Sequence, residues 1–192
     1  MSKQLLIGLS GKMRHGKNET ASILLRELAA SMPGPVSVRG MAAGLKDEVA
    51  VFLAPLLLPM PFECVRAMLD SPEQKEDFRL LMQWWGSFRR SYYGEDYWLE
   101  RFGDWLDRQP ADAVVVIDDL RYPNEAEFVK SRGGMLVRIE RPGYGKPDAH
   151  PSETSMDDYL HFSATVVNDC CLEHLQEKVK RVCPAILAAT DL

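Results

Sequence analysis

Cysteine is scarce in this chain: 4 residues in 192, Cys64, Cys170, Cys171 and Cys183, with no CxxC pair and no histidine at metal-ligand spacing. Neither a zinc site nor a redox motif is encoded, and free thiols suit a reducing cytosol. The adjacent Cys170 and Cys171 read as two small residues near a strand end, and no function is assigned to them. Long apolar runs are missing too. The N-terminal run, Leu5 to Leu9, is too short for a signal peptide or a membrane span, so a cytoplasmic protein without a membrane partner is expected. Positive charge is also in deficit, with 23 Lys and Arg against 28 Asp and Glu and a net charge of −5. Proteins that live on nucleic acid usually present a basic surface that releases counterions, so stable duplex DNA binding is not expected. Internal repeats and low-complexity tracts are absent, and 46% hydrophobic with 27% charged residues is ordinary globular composition.

What is present is an alternation of short apolar runs with helical patterns. Leu5 to Ser10 lacks helical period and passes into a Gly-rich, basic loop, which reads as a buried strand entering a turn. Ala21, Ile23, Leu24, Leu25 and Leu28 then recur at helical spacing, predicting a helix over 17–31 that Pro33-Gly34-Pro35 ends. Val36 to Arg39 predicts a short strand, Leu45 to Leu58 a helix broken by Pro55, Pro72 to Trp85 a polar helix, and Tyr97 to Asp107 an amphipathic one. Ala113 to Ile117 is an unbroken apolar run ending at Asp118-Asp119, as expected of a central parallel strand. Glu125 to Arg132 predicts a helix closed by Gly133-Gly134, Met135 to Ile139 a strand, Arg141 to Pro151 a long mobile loop, Ala164 to Val167 a strand, and Leu172 to Val182 a last helix. The implied class is α/β, a three-layer sandwich with a central parallel sheet. Phe52 to Ser71, rich in Leu and Pro, fits core, a flap or a dimer surface equally, so a homodimer is among the open arrangements.

Gly11-Lys12-Met13-Arg14-His15-Gly16-Lys17 has the spacing G-x4-G-K between a predicted strand and a predicted helix, the context that gives this motif meaning. Glycines let backbone N–H groups turn in around phosphate oxygens, the helix N-terminus adds partial positive charge, and Lys17 reaches the β and γ phosphates of a nucleotide. The eighth position holds Asn18 in place of the usual Ser or Thr, and its amide oxygen is a candidate Mg2+ ligand, directly or through water. Lys12, Arg14 and His15 are either nucleotide contacts or solvated charge; Met13 and Glu19 complete the candidate ATP-binding segment.

Further stretches are similar to the deoxynucleoside monophosphate kinases of tailed bacteriophages, a branch of the P-loop kinases. These are Leu6 to Lys12 with the loop, Met41-Ala42-Ala43-Gly44-Leu45-Lys46, Leu81 to Arg90 followed by Asp96-Tyr97-Trp98, Val114 to Glu125, Arg138 to Pro142, His150 to Thr154, and Val166 to Asp169. The resemblance covers most of the chain and implies one P-loop kinase domain, with its core in residues 1–40, 111–140 and 161–192. It also implies an acceptor-binding helical region over about 41–110 and a mobile lid over about 141–160. Lys46 would help neutralise the acceptor phosphate. Arg89 and Arg90 offer planar forks for phosphate, Gln83 a base-reading amide, and Trp84 or Trp85 a stacking face, with Trp98 in the turn after them. In the strand-end motif, Asp118 would hold water on Mg2+ or position the attacking oxygen, and Arg121 would bind acceptor phosphate with Asn124 and Glu125 beside it. Arg141 would arrive on lid closure, His150 and Glu153 would be lid architecture, and Asn168 would lie near the adenine.

The expected activity is ATP plus a deoxynucleoside monophosphate giving ADP plus the diphosphate, with ATP and Mg2+ as cofactors and small nucleotides as partners. Other readings stay open: a P-loop kinase acting on a hydroxymethylated base in phage DNA or on a small phosphorylated metabolite, and a nucleotide-binding regulatory or assembly protein without catalysis. Base preference is not encoded in any spacing visible here.

Overall fold

The computed structural model describes residues 4–57, 60–71, 73–144 and 150–188. The chain divides into two compact units, residues 1–41 with 109–192, and residues 42–108.

In the first unit, β1 (Leu5–Ser10) is buried at every position, as a strand with parallel neighbours on both sides must be. β3 (Val114–Leu120) and β4 (Met135–Glu140) flank it, with β2 (Val36–Val38) outside β3 and β5 (Ala164–Val167) outside β4. The resulting order β2-β3-β1-β4-β5 is parallel throughout. One face carries Leu5, Ile7, Leu9, Val114, Val116, Val137 and Ile139, packed against Ile23, Leu24 and Leu28 of α1 (Lys17–Ala29) and Leu175, Val179 and Ile186 of α8 (Leu172–Ala188). Strand alternation turns Leu6, Val115, Ile117 and Leu136 to the opposite face, where α6 (Pro123–Ser131) packs against β1 and β4. The fold is thus an α/β parallel sheet with helices on both faces.

α6 ends as its paired glycines predict. Gly133 has a φ of 73°, its N–H donates to Lys130 O at 2.8 Å, and the N–H of Gly134 donates to Val129 O at 2.9 Å. Both bonds satisfy carbonyls that a helix terminus otherwise leaves open. α8 runs on through Pro184, beyond the predicted end near Val182. An interior proline costs about 3 kcal/mol, and Ile186, fully buried two residues later, returns about 1.5–3 kcal/mol.

The second unit contains α2 (Ala43–Leu53), α3 (Phe62–Asp70), α4 (Arg79–Tyr93) and α5 (Tyr97–Leu106). Val49, Ala50 and Leu53 of α2 meet Val65 and Leu69 of α3, with Phe78, Leu81, Met82 and Trp85 packed against them. Those last residues explain a departure from the sequence reading. The predicted helix over 72–85 is a run of turns through 73–78, and the helix proper begins at Arg79. Helical apolar spacing starts only at Phe78, so the polar residues before it have no core to bury; Pro72 lies outside the described residues. α2 begins earlier and stops sooner than the 45–58 expected, giving out before Pro55, with Leu58 outside the described residues. α3 was not resolved from the Leu- and Pro-rich stretch.

The approach of Gly134 to β1 allows a test of the sheet packing. A Cβ there would lie 2.6 Å from Leu6 O and 2.7 Å from Val129 Cγ1. The carbonyl belongs to the central strand and has little room to move. Gly134→Ala is expected to destabilise the protein by about 1–3 kcal/mol, read as a lower urea midpoint at unchanged m value.

Candidate functional site: a phosphate loop and its braces

Between β1 and α1 the chain makes close approaches that a larger residue would block. A Cβ at Gly11 would fall 2.4 Å from Ile139 O, and one at Gly16 would fall 2.7 Å from Asn168 Nδ2. Gly16 is left-handed, with φ 100°, and so is Arg14, with φ 66°, an uncommon state for a residue with a Cβ. Gly16 sits at the N-cap of α1 and supplies no side-chain cap, so the first-turn N–H groups point into the loop uncapped by it. That is the geometry of an anion site.

Lys17 folds back over the loop, donating to Gly11 O at 2.5 Å and Lys12 O at 3.0 Å. Burial is the main reason its pKa drops from 10.5 to about 8. The charge of Arg121 pushes the same way, and Glu153, Asp119 and Asp118 push back. The loop is tied to two strand ends. Asn168, just past β5, donates from Nδ2 to His15 O at 3.0 Å. The His15 ring places Nδ1 3.1 Å from Ile139 O and Nε2 3.1 Å from Tyr144 O; a neutral imidazole donates to only one of them. Arg141 donates to Arg14 O at 3.4 Å, and its guanidinium lies 3.8 Å from the centre of the Tyr144 ring. The side chain of Asn168 is therefore engaged with the phosphate loop itself. Asn18 and Glu19 are exposed on the first turn of α1, and Met13 is half-buried in the loop.

At the end of β3 the pairing with β1 slips: Gly8 faces Ile117 but Ser10 faces Leu120. The bulge falls at the acidic pair, and bulges re-aim side chains. Asp119 Oδ1 accepts from Met41 N at 2.5 Å, fixing the chain where it leaves β2. Asp118 stands in this bulge, near enough for its charge to act on Lys17. Glu125 is buried, its Oε2 accepting from Arg121 N at 2.8 Å and Tyr122 N at 3.1 Å, so its carboxylate caps α6, with Asn124 half-buried beside it.

Arg121 pairs with the carboxylate of Glu153 and donates to Ser152 O at 3.3 Å. Burial works against its charge, but Glu153 and Asp119 outweigh it and raise its pKa. Glu153 sits on α7 (Pro151–Thr154), whose start is capped by His150 Nδ1 accepting from Ser152 N at 3.2 Å. Lys12 pairs with Asp157 and donates to Glu153 O at 2.7 Å. Arg138 donates to Met156 O at 2.8 Å, and Tyr159 donates to Glu127 at 2.7 Å. Burial, then Glu127, pushes the Tyr159 phenol up to about 12. The strap over 150–159 is thus bound to the loop, to β4 and to α6, while residues 145–149 of the expected lid lie outside the described residues. A cavity of about 450 Å³ remains, lined by Gly11, Lys12, His15, Arg121, Arg141 and Glu153 among others.

Sequence reasoning missed Arg138, Asp157 and Tyr159 as partners in this network. A charged residue inside the apolar strand Met135-Leu136-Val137-Arg138-Ile139 was a signal for Arg138. Asp157 gave none, since its partner lies 145 residues away.

The second unit holds the remaining candidates. Glu48 accepts from Trp85 Nε1 at 3.0 Å, Arg89 Nε at 2.8 Å and Tyr97 OH at 2.5 Å, and pairs with Arg101 at 3.2 Å. Desolvation opposes its charge, yet Tyr97, Trp85, Arg89 and Arg101 together hold its pKa below the ordinary value. Arg89 is further enclosed by the rings of Trp85, Tyr93 and Tyr97 at 5.3–5.7 Å. Trp98 is buried and donates to Gly86 O at 3.1 Å. Lys46 pairs with Asp70 at 2.6 Å on the surface. Gln83 and Arg90 are half-buried on α4, and Trp84 is exposed on its outer side.

Comparison with known proteins bears on this arrangement. A family model described as deoxynucleotide monophosphate kinase matches residues 60–179. A protein of Acanthamoeba polyphaga mimivirus that carries a deoxynucleotide monophosphate kinase name is 39% identical over 67 residues, which is 35% of this chain and 35% of that relative. The chain thus aligns with about a third of that relative's length. The crystal structure of shikimate kinase from Aquifex aeolicus vf5 superposes with a TM-score of 0.45 at 18% identity, over 96% of this chain and 97% of that one. The family match begins beyond the phosphate loop, so the loop stands on its own geometry as a separate observation. With more than half of its length matched by the family model, the chain belongs to the deoxynucleotide monophosphate kinase family.

Proposed function

We propose that the protein transfers the terminal phosphoryl group of ATP to a deoxynucleoside monophosphate, giving ADP and the deoxynucleoside diphosphate. The observation that carries this reading is the desolvated Lys17 ammonium, bonded to loop carbonyls at a helix N-terminus without a side-chain cap, in a chain of this family. An ammonium held among carbonyls with a lowered pKa gains most from an anion placed against it. In the proposed complex Lys17 exchanges the carbonyls of Gly11 and Lys12 for β and γ phosphate oxygens, and the α1 N–H groups hold the same oxygens. Lys12, Arg121 and Arg141 line the adjoining cavity and would neutralise charge spreading over the moving group. The bond from the bridging oxygen to the γ phosphorus breaks as an acceptor phosphate oxygen bonds to that phosphorus. The acceptor oxygen is already anionic, so alignment matters more than a general base.

Magnitudes separate the acceptor candidates. An exposed pair such as Lys46 with Asp70 is worth about 0–1 kcal/mol and yields readily to an incoming phosphate. Arg89 is bonded to Glu48, whose side chain is only 12% exposed, and enclosed by rings; breaking such a pair costs about 3–5 kcal/mol. Arg89 is therefore assigned to holding α2 and α4 together, and Lys46, Gln83 and Arg90 to the acceptor.

Among the described residues no cluster of three or more His, Cys, Asp or Glu side chains could enclose a metal ion. Mg2+ fits such a site, because it is commonly held by one or two carboxylates together with substrate phosphates. Asp118 and Asn18 would hold it, directly or through water, and it would supply neutralisation of the β and γ oxygens.

ADP release across the common deoxynucleoside monophosphates, with hydroxymethylated DNA and buffer alone as controls, should show turnover with at least one monophosphate. Release only with the DNA, or with no acceptor, would overturn the assignment. Lys17→Ala should lower kcat by about 10²–10³-fold with an unchanged circular dichroism spectrum. The same lysine sets a pH dependence of stability. Its folded-state pKa of about 8 lies below 10.5, so the charged form opposes folding below about pH 8 and the penalty fades towards pH 10.5. Without nucleotide, the stability of Lys17→Met relative to the parent should be highest below pH 8 and fall between pH 8 and 10.5 in urea titrations. A difference constant with pH would exclude the buried charge.

A further inference from the structure

The strap over 150–159 sets two carboxylates on cations of the phosphate-loop cavity, and the two pairs are held differently. Glu153 pairs with Arg121, and its side chain is only 8% exposed. Asp157 pairs with Lys12, and there both side chains meet water, the lysine 38% and the acid 45% exposed. Lys12 is drawn to the strap a second time by Glu153 O, to which it donates at 2.7 Å. The first lysine of the G-x4-G-K motif thus turns its ammonium to the strap, while Lys17 turns to the loop carbonyls.

The backbone that carries Asp157 is fixed on both sides. Met156 is buried and its carbonyl accepts from Arg138 at 2.8 Å, while Tyr159, also buried, donates to Glu127 at 2.7 Å. Asp157 N itself donates to Thr154 O at 2.9 Å. An exposed acid on so fixed a backbone can let go of its partner by side-chain rotation alone, the fastest kind of rearrangement a protein makes.

We propose, resting on the reading that the loop takes a nucleoside triphosphate, that Asp157 is an internal counter-ion that competes with nucleotide phosphate for Lys12 and so sets the affinity of the donor site. A phosphate chain brings more charge and more acceptor oxygens than one carboxylate, so Lys12 passes from Asp157 to the nucleotide as it enters. An exposed ion pair resists that exchange by a factor of about five at most. The Arg121 pair stays closed, because its acid is buried. Both bonds from Arg121 to the strap use Nη1, so the guanidinium keeps further N–H groups for a phosphate. Glu153 is then the fixed anchor and Asp157 the exchangeable one, which recovers Lys12 as the product nucleotide leaves.

Isothermal titration calorimetry of the full chain with Mg2+ and adenylyl imidodiphosphate, an unreactive ATP analogue, tests this. Asp157→Asn should lower Kd about two- to fivefold. In a Lys12→Met background the same substitution should give no gain, since the competitor then has nothing to compete for. Asp158→Asn, which removes an equal charge one residue along, should leave Kd near the wild-type value at about 0.15 M salt, where exposed charges are screened. A wild type that binds while Asp157→Asn binds no more tightly overturns this proposal alone. So does a gain that survives in Lys12→Met or is matched by Asp158→Asn, because the general field of the strap would then be the cause. A wild type that binds no nucleotide overturns the functional reading, and this proposal with it.

Discussion

Everything at the loop follows from one electrostatic constraint: the charges of Lys17 and Arg121 are partly withdrawn from water beside β1, and withdrawn charge must be answered. Lys12, Lys17 and Arg121 converge there, and the structure answers each differently. Lys12 and Arg121 receive carboxylates from the 150–159 strap, Asp157 and Glu153. Lys17 receives only backbone carbonyls and the more distant charges of Asp118, Asp119 and Glu153, and its pKa falls. Lys17, bonded to the carbonyls of Gly11 and Lys12, is the one of the three whose pKa burial lowers.

The braces have the same logic. A loop whose backbone takes left-handed conformations at Arg14 and Gly16 forms no regular ladder of hydrogen bonds, and side chains must hold it. Asn168 does this from the end of β5, and the loop's own His15 ring reaches Ile139 O on β4, so groups far apart in sequence are joined. Gly11 and Gly16 are required for the same reason, because Ile139 O and Asn168 Nδ2 stand where side chains would go. Loop, strand ends and strap thus specify one another.

How much of this could be read from the chain depends on range. The strands were legible because a buried parallel strand is a run of β-branched and aliphatic residues, and Val114 to Ile117 admits no other reading. The loop was legible because its glycines and lysine act within a few residues of one another. The start of α4 was misplaced because helical propensity in residues 73–78 is not enough without an apolar face to bury. Ion pairs such as Lys12 with Asp157 leave no local trace, since any surface acid serves equally well until the fold brings one near. The identity of Arg89 was legible, but its partner Glu48, 41 residues away, was not, and that partner decides whether the arginine holds substrate or holds helices.

The phosphate-loop motif and the family-matched region occupy separate parts of the chain. The family match begins at residue 60 and so owes nothing to Gly11 through Lys17. The loop geometry owes nothing to the match, since a helix start without a side-chain cap and a desolvated lysine beside it would point to an anion in any chain. Either alone admits alternatives: a phosphate loop serves many activities, and a partial family match need not preserve a working site. Held together they constrain each other: the family bears on the class of acceptor, and the loop offers a desolvated lysine at a helix start without a side-chain cap.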